Sequence, residues 1–180
     1  MIKKVKRFLN LLVGYYNKKP SGEEISLPEH VSDDEKIVRS IFSPLNINLK
    51  TNKLKSNAFK SPAGKDEVSV IRYSFNDSNF CKSFSRKIQD ELNNKIYCGL
   101  AVLNAFEIRN LNANIIYSPI KSPIEFYNPY HGDIKIGYAP IKGEPLPAEF
   151  QHKVQKLANS ARVYIDPDPF SKEWQGEEIK

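Results

Sequence analysis

At 180 residues and 20.6 kDa the chain has the length of a single domain and can bury a core of its own without a disulfide or a structural metal. Hydrophobic residues at 40% and aromatics at 11% exclude wholesale disorder, whereas 12 prolines and 8 glycines predict many irregular crossings between elements. The formal charge of +6 lies entirely in the first nineteen residues, where Lys3, Lys4, Lys6, Arg7, Lys18 and Lys19 meet no acid, so the basic character belongs to a terminal arm and the rest of the chain is neutral.

In that arm Ile2, Val5, Leu9, Leu12, Val13 and Tyr16 recur at helical spacing, with Phe8 beside them and the basic residues largely opposite, which predicts a basic amphipathic helix over 1–20. Val5, Phe8, Leu9, Leu12 and Tyr16, flanked by Lys3, Lys4 and Arg7, are the candidate docking residues. Their target is a protein partner or the chain's own core, with a peripheral membrane surface as the alternative. The apolar run 8–16 is far short of the roughly 20 residues of a membrane span. Asn17-Lys18-Lys19-Pro20 offers no small-residue cleavage site, so the expected location is the cytoplasm, with any membrane association through residues 1–19. Pro20, Ser21 and Gly22 end the helix, an acidic linker follows over 21–30, and the domain proper occupies 31–180.

Ser32-Asp-Asp-Glu35 has capping-box spacing and starts either a turn of helix into Ile37 and Val38 or the lead-in to a strand over 37–42. Residues 68–75 alternate with β-branched content and read as a strand, and Asp77 caps a helix through Leu92 with the stripe Phe80, Cys81, Phe84, Ile88 and Leu92. A buried strand over 96–103, a short helix over 105–110 and a strand over 115–117 follow. Residues 118–130, with three prolines, form a surface excursion before a strand over 134–138. Pro147 introduces a helix carrying Phe150, Val154, Leu157, Ala158 and Ala161. A closing strand over 163–165 and a brief terminal helix around Trp174 complete the chain. Strands and helices without regular βαβ alternation predict an α+β fold, a mixed or antiparallel sheet flanked by two main helices. Cys81 and Cys98 read as packed thiols on a helix and a strand.

Residues 36–65 hold seven basic residues and no acid. Lys50, Lys53, Lys55 and Lys60, interleaved with Phe42 and Phe59, form the nucleic-acid candidate. With lysine outnumbering arginine, any such binding is electrostatic and nonspecific. His131-Gly132-Asp133 sends two polar side chains to one face of a strand. As metal ligands His131 and Asp133 would need Asp166 and Asp168 to complete a site; otherwise His131 is a hydrogen-bonded structural residue and the Asp-Pro steps are turn chemistry. No phosphate loop, nucleophile elbow or zinc spacing occurs, and no cofactor is expected.

Residues 62–73, Phe80-Cys81, Tyr97-Cys98-Gly99-Leu100-Ala101-Val102, His131-Gly132-Asp133-Ile134, Lys142-Gly143-Glu144-Pro145 and Asp166-Pro167-Asp168-Pro169 with Trp174, read in order, resemble a group of short uncharacterised bacterial proteins. The resemblance covers most of 28–178, leaves the first nineteen residues outside, and implies a bacterial intracellular protein with no activity attached. A second resemblance is to ADP-ribosyltransferase-like folds, for which Arg39 and Ser69 fill the first two strand positions while the late glutamate is missing, Glu144 being only a positional candidate; His131 is a separate catalytic candidate. The sequence therefore favours a non-enzymatic binding protein acting on a protein partner. An enzyme using NAD and a nonspecific nucleic-acid binder stand as alternatives.

Overall fold

The computed structural model describes residues 25–91 and 94–180; the amphipathic arm, with every docking residue assigned to it, lies outside the described residues. The elements follow in the order β1 (Lys36–Ser43), β2 (Ile47–Asn48), β3 (Lys53–Leu54), β4 (Glu67–Arg72), α1 (Ser78–Glu91), β5 (Ile96–Asn104), α2 (Ala105–Asn110), β6 (Asn114–Tyr117), β7 (His131–Lys135), α3 (Ala148–Ser160) and β8 (Arg162–Ile165). Six strands make one sheet in the order β6-β7-β4-β1-β5-β8, paired antiparallel throughout, and β2 with β3 forms a separate hairpin. This is the α+β architecture that the strand and helix patterns predict.

Alternation along β1 sorts the core into two clusters. Ile37 and Ile41 join Val68, Val70, Leu103 and Ile134 beneath α2 and α3, where Ile108, Val154 and Leu157 close the layer. Val38 and Phe42 join Ile71, Tyr97, Leu100 and Val102 on the opposite face, covered by Cys81 and Phe84 of α1. The inner strand β5 is buried on both faces, which is why its sequence reads as a continuous apolar run. Where β5 shifts register against β1 between Ile41 and Phe42, Gly99 lets β8 approach, since a methyl there would strike the Tyr164 carbonyl.

α1 begins as its sequence predicts, with Asp77 Oδ1 accepting from the Phe80 N–H at 2.7 Å. β1 is the strand, not the helical turn, because Ser32 and Glu35 close a tight turn directly before it. β4 stops at Arg72 and continues as a 3-10 turn over Tyr73–Phe75. The expected helix around Trp174 does not form. Asp168 Oδ1 accepts from Phe170 and Ser171 N–H in a turn, and the carbonyls of Asp168 and Glu173 are drawn to a lysine from another element.

That lysine is Lys82 of α1, which has no solvent exposure. Its ammonium meets Asp166 Oδ2, Asp168 O, Ser171 Oγ and Glu173 O, each at 2.7 Å. A buried ammonium is tolerated only when its donors are met, and here one cation ties Asp166, Asp168, Ser171 and Glu173 to α1. Arg86, one turn on, adds bonds to the Phe170 and Ser171 carbonyls. Replacing Lys82 by Met leaves the Asp166 carboxylate buried without its cation, and urea unfolding is expected to show a loss of about 3–5 kcal/mol. The double variant Lys82→Met/Asp166→Asn should recover part of that loss; equal destabilisation in both would show that the ion pair is not the element that matters.

Candidate functional site

The features of chemical interest gather at the β6 end of the sheet. Ser69 faces Asp133 across the β4–β7 ladder and His131 lies two residues before it, so these three candidates are neighbours. Arg39 joins them through the backbone. The β1–β4 ladder consists of two pairs, Ile37↔Arg72 and Val38↔Ile71, and the Arg39 guanidinium takes the next β4 carbonyl facing β1, Ser69 O, at 2.6 Å, with Ala58 O at 3.1 Å from Nε. Burial pushes Arg39 down to about 10 while the Asp133 carboxylate holds it up, so the group is cationic at neutral pH.

The residue that completes the cluster, Ser118, carries no local signal in the sequence. It follows β6 directly and its N–H donates to the His131 carbonyl at 3.2 Å. Its hydroxyl donates to Asp133 Oδ2 at 2.6 Å and lies 3.1 Å from His131 Nδ1. Nδ1 is 2.7 Å from the Ser118 carbonyl, which can only accept, so Nδ1 carries the hydrogen. The ring nitrogen beside Ser118 Oγ therefore has no lone pair with which to withdraw its proton. The three side chains form a clamp and not a nucleophile with its base. Gly132 belongs to the same construction, because a methyl there would lie 2.9 Å from the Ile116 carbonyl and push β6 away.

The other sequence candidates lie elsewhere. Asp166 follows β8, at the far edge of the sheet from β7. Four strand spacings separate the two, roughly 19 Å at about 4.8 Å each. The cation that Asp166 receives is Lys82, and among the described residues no group of three or more His, Cys, Asp or Glu is placed to hold a metal. Lys50, Lys53, Lys55 and Lys60 are exposed on and after the β2–β3 hairpin, with Lys55 bonded to the Pro44 carbonyl. Phe42 and Phe59, read in the sequence as stacking partners for bases, are buried in the two core clusters and offer no face to a ligand. Glu144 is exposed in a turn.

Immediately beyond the clamp is a groove of about 680 Å³, within the range of small-ligand and peptide sites. Tyr117 and Pro119, on either side of Ser118, line it, together with Ile115, Lys121, Tyr127 and, across the gap, the segment 25–31. Two arginines hold that segment in place. Arg72, fully buried, forks onto Glu35 at 2.7 and 2.8 Å and donates to Pro28 O and His30 O. Its guanidinium lies over the rings of Phe75 and Tyr117 at 4.9 and 5.0 Å. Arg109 of α2 binds Val31 O and pairs with Asp33. The residues expected to be a linker are thus fastened to the domain from Pro28 onward.

The fold and site define an antiparallel α+β protein with a preformed edge groove beside a polar clamp. Comparison with family models, with curated proteins and with solved structures finds no match to this chain.

Ser118→Ala removes the hydroxyl that satisfies Asp133, a carboxylate only 7% exposed, and is expected to cost about 1–3 kcal/mol in urea unfolding. A loss below 0.5 kcal/mol, roughly the floor for any native hydrogen bond, would contradict the clamp. The thiols give a second test. Burial pushes Cys98 up to about 11 and Cys81 higher, with the Asp77 charge adding to the latter. Each raised acid contributes stability that is intact below the unfolded thiol range near pH 8.5 and is lost as pH climbs toward the folded values. The free energy of urea unfolding should therefore decline above about pH 9, by on the order of 1.4 kcal/mol per pH unit per thiol. Cys81→Ala/Cys98→Ala should flatten that decline.

Proposed function

We propose that this chain acts by binding, without catalysis, and that the groove between residues 25–31 and β6 is its recognition surface. The carrying observation is that the groove is held open by groups already committed: Arg72 and Arg109 are engaged by backbone carbonyls and carboxylates of the segment that forms the far wall. A wall fixed in this way loses little conformational freedom on binding, which is the physical meaning of a preorganised site. The neighbouring polar groups support the same reading, because Ser118, His131 and Asp133 bond to one another and Arg39 to two carbonyls. The favoured partner is a protein, and the basic arm over 1–20 remains its proposed second contact.

The test is amide chemical-shift mapping of the full chain against separate probes: NAD, ATP, a short single-stranded oligonucleotide, anionic phosphatidylglycerol vesicles and a pool of linear peptides. Binding through the groove predicts shifts at 25–31, 114–121 and 127–129 with the peptide pool, lost in the variant Leu27→Glu/Tyr127→Ala. Shifts confined to Arg39 and Ser69 with NAD would support the ADP-ribosyltransferase-like reading instead. Shifts over 47–60 with the oligonucleotide, weakening steeply with salt, would support the nucleic-acid reading.

A further inference from the structure

Resting on the groove as recognition surface, we propose that its ligand is an extended peptide that adds to the outer edge of β6 as a seventh strand and carries a basic residue beside Glu29. The register of the sheet supplies the argument. Tyr117 faces Gly132, and the Ser118 N–H bonds the His131 carbonyl, so Ser118, Ile116 and Asn114 turn their backbone groups toward β7. Ile115 and Tyr117 turn theirs outward, into the groove. The Ile115 N–H is met by the Asn114 side chain at 2.9 Å. That leaves the Tyr117 N–H and C=O and the Ile115 C=O, which no described residue engages.

An exposed strand edge is a template for another strand, and folds normally close it. At the opposite edge the chain packs against the end of β8, where a methyl on Gly176 would lie 2.7 Å from the Ile165 carbonyl. At β6 the segment 25–31 runs alongside but does not pair, because Pro28 O, His30 O and Val31 O are taken by Arg72 and Arg109. A peptide entering between them gains three backbone bonds from β6, and the Asn114 cap ends the ladder there. Tyr117 and Tyr127 offer apolar rings to its side chains. Charge selects a basic residue: of the cations lining the groove Arg109 is paired with Asp33 and Lys121 is also engaged, whereas Glu29 has no cation in ion-pair range among the described residues.

The test uses the full chain and a phage-displayed library of random linear peptides, followed by synthetic copies of one selected peptide bearing single backbone N-methyl groups. Strand addition predicts losses of at least tenfold at alternate positions and little change between them. It also predicts a Tyr117 amide that exchanges freely in the free protein and slows at least tenfold on binding. Asn114→Ala, which frees the Ile115 N–H as a further donor, should tighten binding about threefold to tenfold, and Glu29→Lys should weaken it about fivefold. A flat N-methyl scan with shifts still at the groove would overturn strand addition and leave the groove reading standing. Selected peptides that perturb neither 25–31 nor 114–121 would overturn both. Protection of the Tyr117 amide in the free protein would show the edge already filled, by a second copy of the chain where protection rises with concentration, and would also overturn the proposal.

Discussion

Arg72 carries a full charge at a position with no solvent exposure, and segments distant in sequence are held where they are by its donors and its planar face. Burying such a charge costs several kcal/mol unless every donor is met. Here the fork of the guanidinium matches the Glu35 carboxylate, two carbonyls of the 28–30 segment accept two of the three remaining hydrogens, and two aromatic rings cover the faces. Lysine, with a point charge and three donors, could not reproduce this set. Because Arg72 is also the last residue of β4, the same contacts decide where that strand ends, how the chain enters β1 and where the Tyr117 ring rests.

The groove follows from this anchoring. A chain segment lying beside a free strand edge would ordinarily pair with it, since unpaired backbone groups are costly to leave dry. The segment 25–31 does not, because its acceptors are already bonded to arginines from β4 and α2. On the other wall, the Ser118 clamp fixes the point at which β6 leaves the sheet, and Gly132 admits β6 close to β7. Two unrelated sets of polar contacts thus keep two walls apart.

What the sequence revealed and what it concealed divide along physical lines. The helix α1 was legible because Asp77 and the stripe Phe80, Cys81, Phe84 and Ile88 are local signals at one period. His131 and Asp133 were legible as a pair because side chains two apart on a strand must share a face. Ser118 was not, since it is thirteen residues from His131 and joined to it only by strand pairing. The β2–β3 hairpin was missed for a different reason. Strands of two residues bury one side chain each, Ile47 and Leu54, which is too little to make a pattern. The terminal helix was misread because a capping aspartate also makes turns, and the choice was made by Lys82, which lies 86 and 89 residues from the two partners it bonds there.

One use of charge recurs across the domain and explains how a proline-rich chain keeps so many irregular crossings in order. Arg39, Arg72, Lys82, Arg86, Arg109 and Lys153 each donate to backbone carbonyls of segments outside the regular ladders. A carbonyl in a loop has no strand or helix to satisfy it, and a long cationic side chain from a regular element can reach it while burying its own stem. The body of the chain is neutral in sum, yet these six cations are not idle surface charge. They are committed inward, one irregular segment at a time, and the edge of β6 stays open because the cations nearest it bind the opposite wall.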